Sequence, residues 1–140
     1  MEDGTGGPFG AIVLNSDLEI IGIGKNSVTR SNDPTAHAEV CAIRNACLNK
    51  STFILEGCTI FTSCEPCPMC LGAIYWSRMK KICYSANRKA AASVGFSDKF
   101  IYQEFKKKHP HKAIEFKEIL LDEALSPFEK WHSKQDLVRY

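Results

Sequence analysis

Four side chains in two short runs have the types and spacing for metal-assisted hydrolysis. His37 and Glu39 stand in Thr35-Ala36-His37-Ala38-Glu39, and Cys67 and Cys70 in Cys64-Glu65-Pro66-Cys67-Pro68-Met69-Cys70. One imidazole and two thiolates supply three zinc ligands and leave the fourth tetrahedral position open. That is the arrangement of a catalytic rather than a closed structural zinc. Glu39 lies two residues after His37, which is not the i,i+4 spacing that puts two helical ligands on one face. A carboxylate there suits a proton carrier beside the metal better than a fourth ligand.

The order His-x-Glu … Pro-Cys-x-x-Cys is the pattern of zinc-dependent nucleobase deaminases, so hydrolytic loss of an amine is the expected chemistry. Simpler readings fit less well. Cys64-x-x-Cys67-x-x-Cys70 resembles the start of an iron–sulfur run, but that run needs a fourth cysteine and position 74 is Ile. Cys64 is then a spare thiol packed near the site. Cys41, Cys47, Cys58 and Cys83 read as small buried hydrophobes.

Those ligands need a scaffold, and 140 residues are enough for one domain with a core of its own. A chain that is 44% hydrophobic and 24% charged is not disordered, and a net charge of +2 points to no polyanionic partner. Seven cysteines, three of them within seven residues, with no visible signal peptide, indicate metal binding in a reducing cytoplasm rather than disulfides. No apolar run approaches a membrane span.

Along the chain, the Gly-rich residues 1–8 read as a mobile lead-in or a pocket-lining loop. Phe9 to Leu14 and Glu19 to Gly24 form a hairpin around Asn15-Ser16-Asp17. Gly22 and Gly24 mark a bulge or a close approach of backbone. A helix is expected from about Thr35 to Asn49, with His37 and Glu39 in its first turn and Val40, Ile43 and Cys47 as its buried stripe. Cys58 to Thr62 is a strand that delivers the cysteine turn. A helix from about Pro68 to Ser77 follows, placing Cys67 and Cys70 near a helix start, where thiolates are favoured.

Lys81 to Tyr84 reads as a strand, and Lys89 to Val94 as a helix broken at Gly95. The basic Lys106–Lys112 tract reads as a solvated loop, with nucleic-acid contact the minor alternative. Ala113 to Leu121 is expected to be a late strand. Ser126-Pro127-Phe128-Glu129 has the composition of a capping box with Ser126 as N-cap. Alternating strands and helices predict one three-layer α/β/α sandwich, with helices on both faces of a mixed sheet of mostly five strands. The ligands would lie where two helices start beyond strand ends.

Longer stretches resemble guanine deaminases of bacterial type, members of the cytidine deaminase superfamily. They are Gly6-Gly7-Pro8-Phe9-Gly10-Ala11, Asn32–Glu39, Ser63–Trp76, Gly95–Tyr102 and Leu125–Phe128. The resemblance implies a cytidine deaminase-like fold and hydrolysis of guanine to xanthine and ammonia. Zinc would sit on His37, Cys67 and Cys70, with Glu39 as proton shuttle. It further implies a base pocket lined by Phe9, Asn26 and Trp76, and Asp98 as a second carboxylate assisting substrate binding or proton transfer. It also implies a homodimer that exchanges a C-terminal segment, about 126–140, so that Tyr140 caps the partner's pocket. Residues 1–140 are then a single deaminase domain without the helix that members of this family carry before the Gly-Gly-Pro-Phe segment.

Other substrates remain open: tRNA adenosine, guanosine and cytosine share the zinc pattern. A zinc-stabilised interaction module is the non-enzymatic alternative. It would need Cys64 as a fourth ligand and would leave Glu39 without a role.

Overall fold

The computed structural model describes residues 4–108 and 112–139. Strand β1 (Gly10–Leu14) turns into β2 (Ile20–Lys25) through the expected Asx chemistry. Asn15 Oδ1 accepts from the backbone N–H groups of Asp17 (3.0 Å) and Glu19 (2.9 Å), which closes the loop without a glycine. A four-residue helix α1 (Val28–Ser31) leads into α2 (Ala38–Lys50). Strand β3 (Thr59–Cys64), helix α3 (Pro68–Trp76) and strand β4 (Lys81–Ala86) then form a parallel β–α–β unit.

The sheet is mixed, in the order β2-β1-β3-β4, and only the β3–β4 pair is parallel. It has four strands among the described residues, not five. Residues 113–121 form no strand: the segment has no ladder partner among the described residues, and its apolar residues do not hold a period of two. The α/β class and the mixed sheet stand as expected.

Helix α2 lies so close to β2 that only small residues fit between them. A Cβ on Gly24 would come within 2.0 Å of the Ala38 carbonyl oxygen, and one on Gly22 within 2.4 Å of that of Ala42. The close-approach reading of the glycines is therefore the right one for this face, although the β1–β2 register also shifts between Val13 and Leu14. The buried face of α2 is Ala38, Glu39, Ala42, Ile43 and Ala46. Val40 and Cys47, expected in that stripe, are only half-buried. Glycine facing alanine, rather than large apolar side chains, sets the spacing of this layer.

Val13, Ile60, Leu55 and Ile74 complete the core with no or almost no exposed surface. Across the sheet's other face the register lines up Ile23, Ile12, Phe61 and Cys83 in one row. In that row Ile23 is 61% exposed.

After β4 come α4 (Arg88–Ser93), a break at Gly95 with φ +95°, and α5 (Lys99–Lys106), a helix the pattern did not announce. Helix α6 (Ser126–His132) begins at Ser126, but Leu125 takes the N-cap place and no side chain caps it. The capping box is thus displaced by one residue and makes no capping bond. Residues 1–102 and 103–140 divide into two compact units. In the second, no described residue is buried. No helix among the described residues is long and apolar enough to cross a membrane.

Candidate metal centre and cavity

Two helix starts bring the ligands together. His37 is the N-cap of α2 and Cys67 the N-cap of α3, both extended, with ψ of 155° and 167°. Pro68 follows at the first helical position of α3, where its missing N–H costs nothing. Cys70, one turn on, is fully buried.

His37 Nδ1 lies 3.5 Å from Cys67 Sγ and 3.5 Å from Cys70 Sγ, and the two sulfurs are 3.5 Å apart. Zn–S bonds of ~2.3 Å and a Zn–N bond of ~2.0 Å at tetrahedral angles put neighbouring donors about 3.5–3.8 Å apart. The triangle therefore has the edge length that a zinc ion requires, and the donor set is one that zinc prefers. His37, Cys67 and Cys70 are the one group of potential metal ligands of this kind among the described residues. Cys64 is not in it. The iron–sulfur and four-ligand readings have no support from the geometry.

Charge in the cluster favours a bound cation. Cys67 is held down to about 4, chiefly by the hydrogen bond from Cys70, with His37 reinforcing it against burial. The Cys70 thiol is pushed up by the same shared hydrogen bond and by burial. His37 is raised by its bond to Cys67. A divalent ion displaces the remaining protons from such a set.

Glu39 is 6% exposed in the first turn of α2 and lines the same cavity as His37 and Cys67. Burial raises its pKa, the direction that suits a carboxyl group working as both acid and base. The cavity, about 680 Å³, is large enough for a base with or without a ribose, so size alone does not choose between them. Phe9, Asn26 and Asp98 line it. Burial raises the pKa of Asp98, with Arg88 opposing.

Asn26 is buried, and its Oδ1 accepts from the N–H groups of Gly7 (3.1 Å) and Val28 (3.3 Å). The Gly-rich start is a pocket-lining loop: Gly4, Gly6 and Gly7 all face the cavity. A Cβ on Gly6 would meet the Asn26 carbonyl oxygen at 2.0 Å, so only glycine lets this loop lie on Asn26.

Trp76 does not join the cavity. It sits in the last turn of α3, six residues beyond Cys70 or about 9 Å along the axis, and is 68% exposed. Tyr140 lies outside the described residues, as do three residues of the basic tract, 109–111.

Phe96 is a wall that the pattern did not assign. Its ring meets Phe9 edge-to-face, with centroids 5.0 Å apart at 85°. Its signal was an aromatic residue set in a Gly-Phe-Ser-Asp break, where no core position was needed. Cys64 is buried in the cavity wall, its Sγ 3.8 Å from the Asn87 carbonyl oxygen, in keeping with a spare thiol. Of the remaining cysteines only Cys58 is buried; Cys41, Cys47 and Cys83 are half-buried.

A His-Cys-Cys triangle with a buried glutamate in one cavity defines a zinc-dependent hydrolytic deaminase. The chain belongs to the cytidine and deoxycytidylate deaminase family, whose zinc-binding region matches residues 1–86. Within that family it is 53% identical to the guanine deaminase of Bacillus subtilis over 137 residues, covering 98% of this chain and 87% of that one. The X-ray structure of guanine deaminase from that organism superposes with a TM-score of 0.95 at 50% identity, covering 99% of this chain and 88% of the other. A tRNA-specific adenosine deaminase from Aquifex aeolicus is 45% identical over 87 residues, 62% of this chain and 57% of that one.

Proposed function

We propose that the protein is a zinc-dependent guanine deaminase, converting guanine and water to xanthine and ammonia. The observation that carries this is the buried Glu39 carboxyl in one cavity with the His37–Cys67–Cys70 triangle. A zinc ion held by those three residues supplies the Lewis acidity that makes a nucleophile of water near neutral pH.

Glu39 takes the proton from the attacking water and delivers it to a ring nitrogen beside the amine-bearing carbon. It then takes the second proton, from the hydroxyl newly bonded to that carbon, and gives it to the departing amine, which leaves as ammonia, so one carboxylate serves as base and acid in turn. Asn26 sets polarity: with Oδ1 held by two backbone donors, its Nδ2 amine is left as the donor for the cavity. That group donates to the 6-oxo oxygen of guanine and rejects the 6-amino group of adenine, which would leave two donors face to face. Phe9 and Phe96 give the base an apolar wall. Asp98 accepts from the substrate's N–H groups.

The working protein is a homodimer in the reducing cytoplasm, in keeping with its seven free thiols. Among the described residues of 103–139 none is buried, and Ile114, Ile119, Leu120, Leu121, Leu125 and Phe128 are all more than half exposed. A stretch of this composition has no core of its own and gains one by exchange with a second copy. In that arrangement the end of one chain, with Tyr140, completes the partner's site within the dimer.

The test is to offer zinc-loaded protein guanine, guanosine, cytosine, adenine and a tRNA anticodon loop, and to measure ammonia. Release from guanine alone, indifferent to salt, is expected. Release from the RNA that falls steeply with salt would make the substrate a tRNA adenosine instead.

A further inference from the structure

Arg88 opens α4, and no step above uses it. Its backbone N–H donates to Glu65 Oε2 (3.1 Å), and its Nε lies 3.7 Å from Glu65 Oε1. Its guanidinium carbon sits 4.7 Å from the centroid of the Tyr102 ring. Glu65 is fixed in turn, its N–H donating to the Ala86 carbonyl (2.8 Å). Arg88 therefore joins the turn that precedes the cysteine ligands to the first turn of α5. Asp98 stands in that same turn, and its carbonyl accepts from the N–H groups of Ile101 (3.0 Å) and Tyr102 (3.4 Å). The ring under the guanidinium and the carboxylate facing the cavity thus share one helical turn.

We infer that Arg88 is a positioning residue for Asp98. Through Glu65 on one side and Tyr102 on the other, it holds the Asp98 turn against the cavity. The inference rests on the reading of Asp98 as a substrate-binding carboxylate. Phe96 on Phe9 pins the other end of the segment, so Arg88 supplies the second of two fixed points, and without it the turn can swing about the first. A planar guanidinium can pair with a carboxylate and stack on a ring at once; an ammonium keeps only the charge. The half-exposed Arg88 side chain fills no core space, so its loss leaves the fold intact.

The test is a double-mutant cycle on the zinc-loaded protein, with kcat/KM for guanine and the Kd for 8-azaguanine measured for each variant. Arg88→Ala is expected to lower kcat/KM between about tenfold and a hundredfold, as misplacement of a contact group does. Arg88→Lys should recover part of that, and both should weaken the analogue. In an Asp98→Asn background the same Arg88→Ala change should cost less than about twofold, because the group it positions is gone. Equal losses in both backgrounds, with Asp98→Asn itself impaired, would overturn the role of Arg88 and leave that of Asp98 standing. A fully active Asp98→Asn would overturn both, and an unaffected Arg88→Ala would overturn the inference alone.

Discussion

His37 Nδ1 lies 3.5 Å from Cys67 Sγ although 30 residues separate them, because each is the N-cap of its own helix. The first prediction concerns this pair. Cys67→Ala should abolish stoichiometric zinc binding by elemental analysis. Chelation should lower the melting temperature of the wild type but not of the variant, since only the wild type has bound metal to lose. Zinc retained by Cys67→Ala would point to other ligands.

Gly24 and Gly72 should respond oppositely to alanine. At Gly24 the new methyl would meet the Ala38 carbonyl oxygen at 2.0 Å and the Ala42 nitrogen at 2.4 Å. Forcing α2 off β2 should cost about 1–3 kcal/mol or more and loosen the zinc site that α2 carries. Gly72 lies within α3 with nothing within 4 Å of an added Cβ, so Gly72→Ala should stabilise by about 0.5–1 kcal/mol. Urea midpoints of the two variants decide it.

Asp33 holds the chain just before His37. Its Oδ1 accepts from the Thr35 hydroxyl (2.7 Å) and the Thr35 N–H (2.8 Å), and these bonds lower its pKa, with Arg44 adding to them. A depressed carboxylate stabilises the fold above its ordinary pKa, and the contribution is lost as pH falls through the lower folded value. Asp33→Asn should therefore be less stable than wild type at neutral pH, and the two should converge in acid below pH ~3.8. A gap that persists there would mean the effect is not one of charge.

The exposed second unit leads to a fourth prediction. Light scattering should give twice the chain mass, and deleting residues 136–140 should raise KM for guanine. Loss of one aromatic contact of about 1 kcal/mol corresponds to roughly fivefold. A monomer with unchanged KM would argue against exchange.

The zinc triangle and Glu39 were legible because ligand chemistry admits few residue types at few spacings. The hairpin was legible because Asn15 supplies its own turn bonds. What escaped depended on contacts between distant elements. The buried face of α2 is alanine against glycine, a match of volume that a hydrophobic stripe through Val40 and Cys47 does not register. The cavity walls at Phe96 and Arg88 lie in a break and at a helix start, where neither period nor burial marks a residue out. Trp76 stands in a cysteine-ligand helix yet too far along it to reach the cavity, which only the three-dimensional path reveals. Residues 113–121 carry strand-forming side chains without a partner strand among the described residues.

Turnover of Glu39→Gln, measured beside its zinc content, tests the central claim most directly. An isosteric amide keeps the fold and the His-Cys-Cys ligands but carries no titratable proton. With zinc bound as in wild type, kcat for guanine should fall roughly 10²–10⁴-fold or more. Near wild-type ammonia release from a zinc-loaded Glu39→Gln would contradict the account.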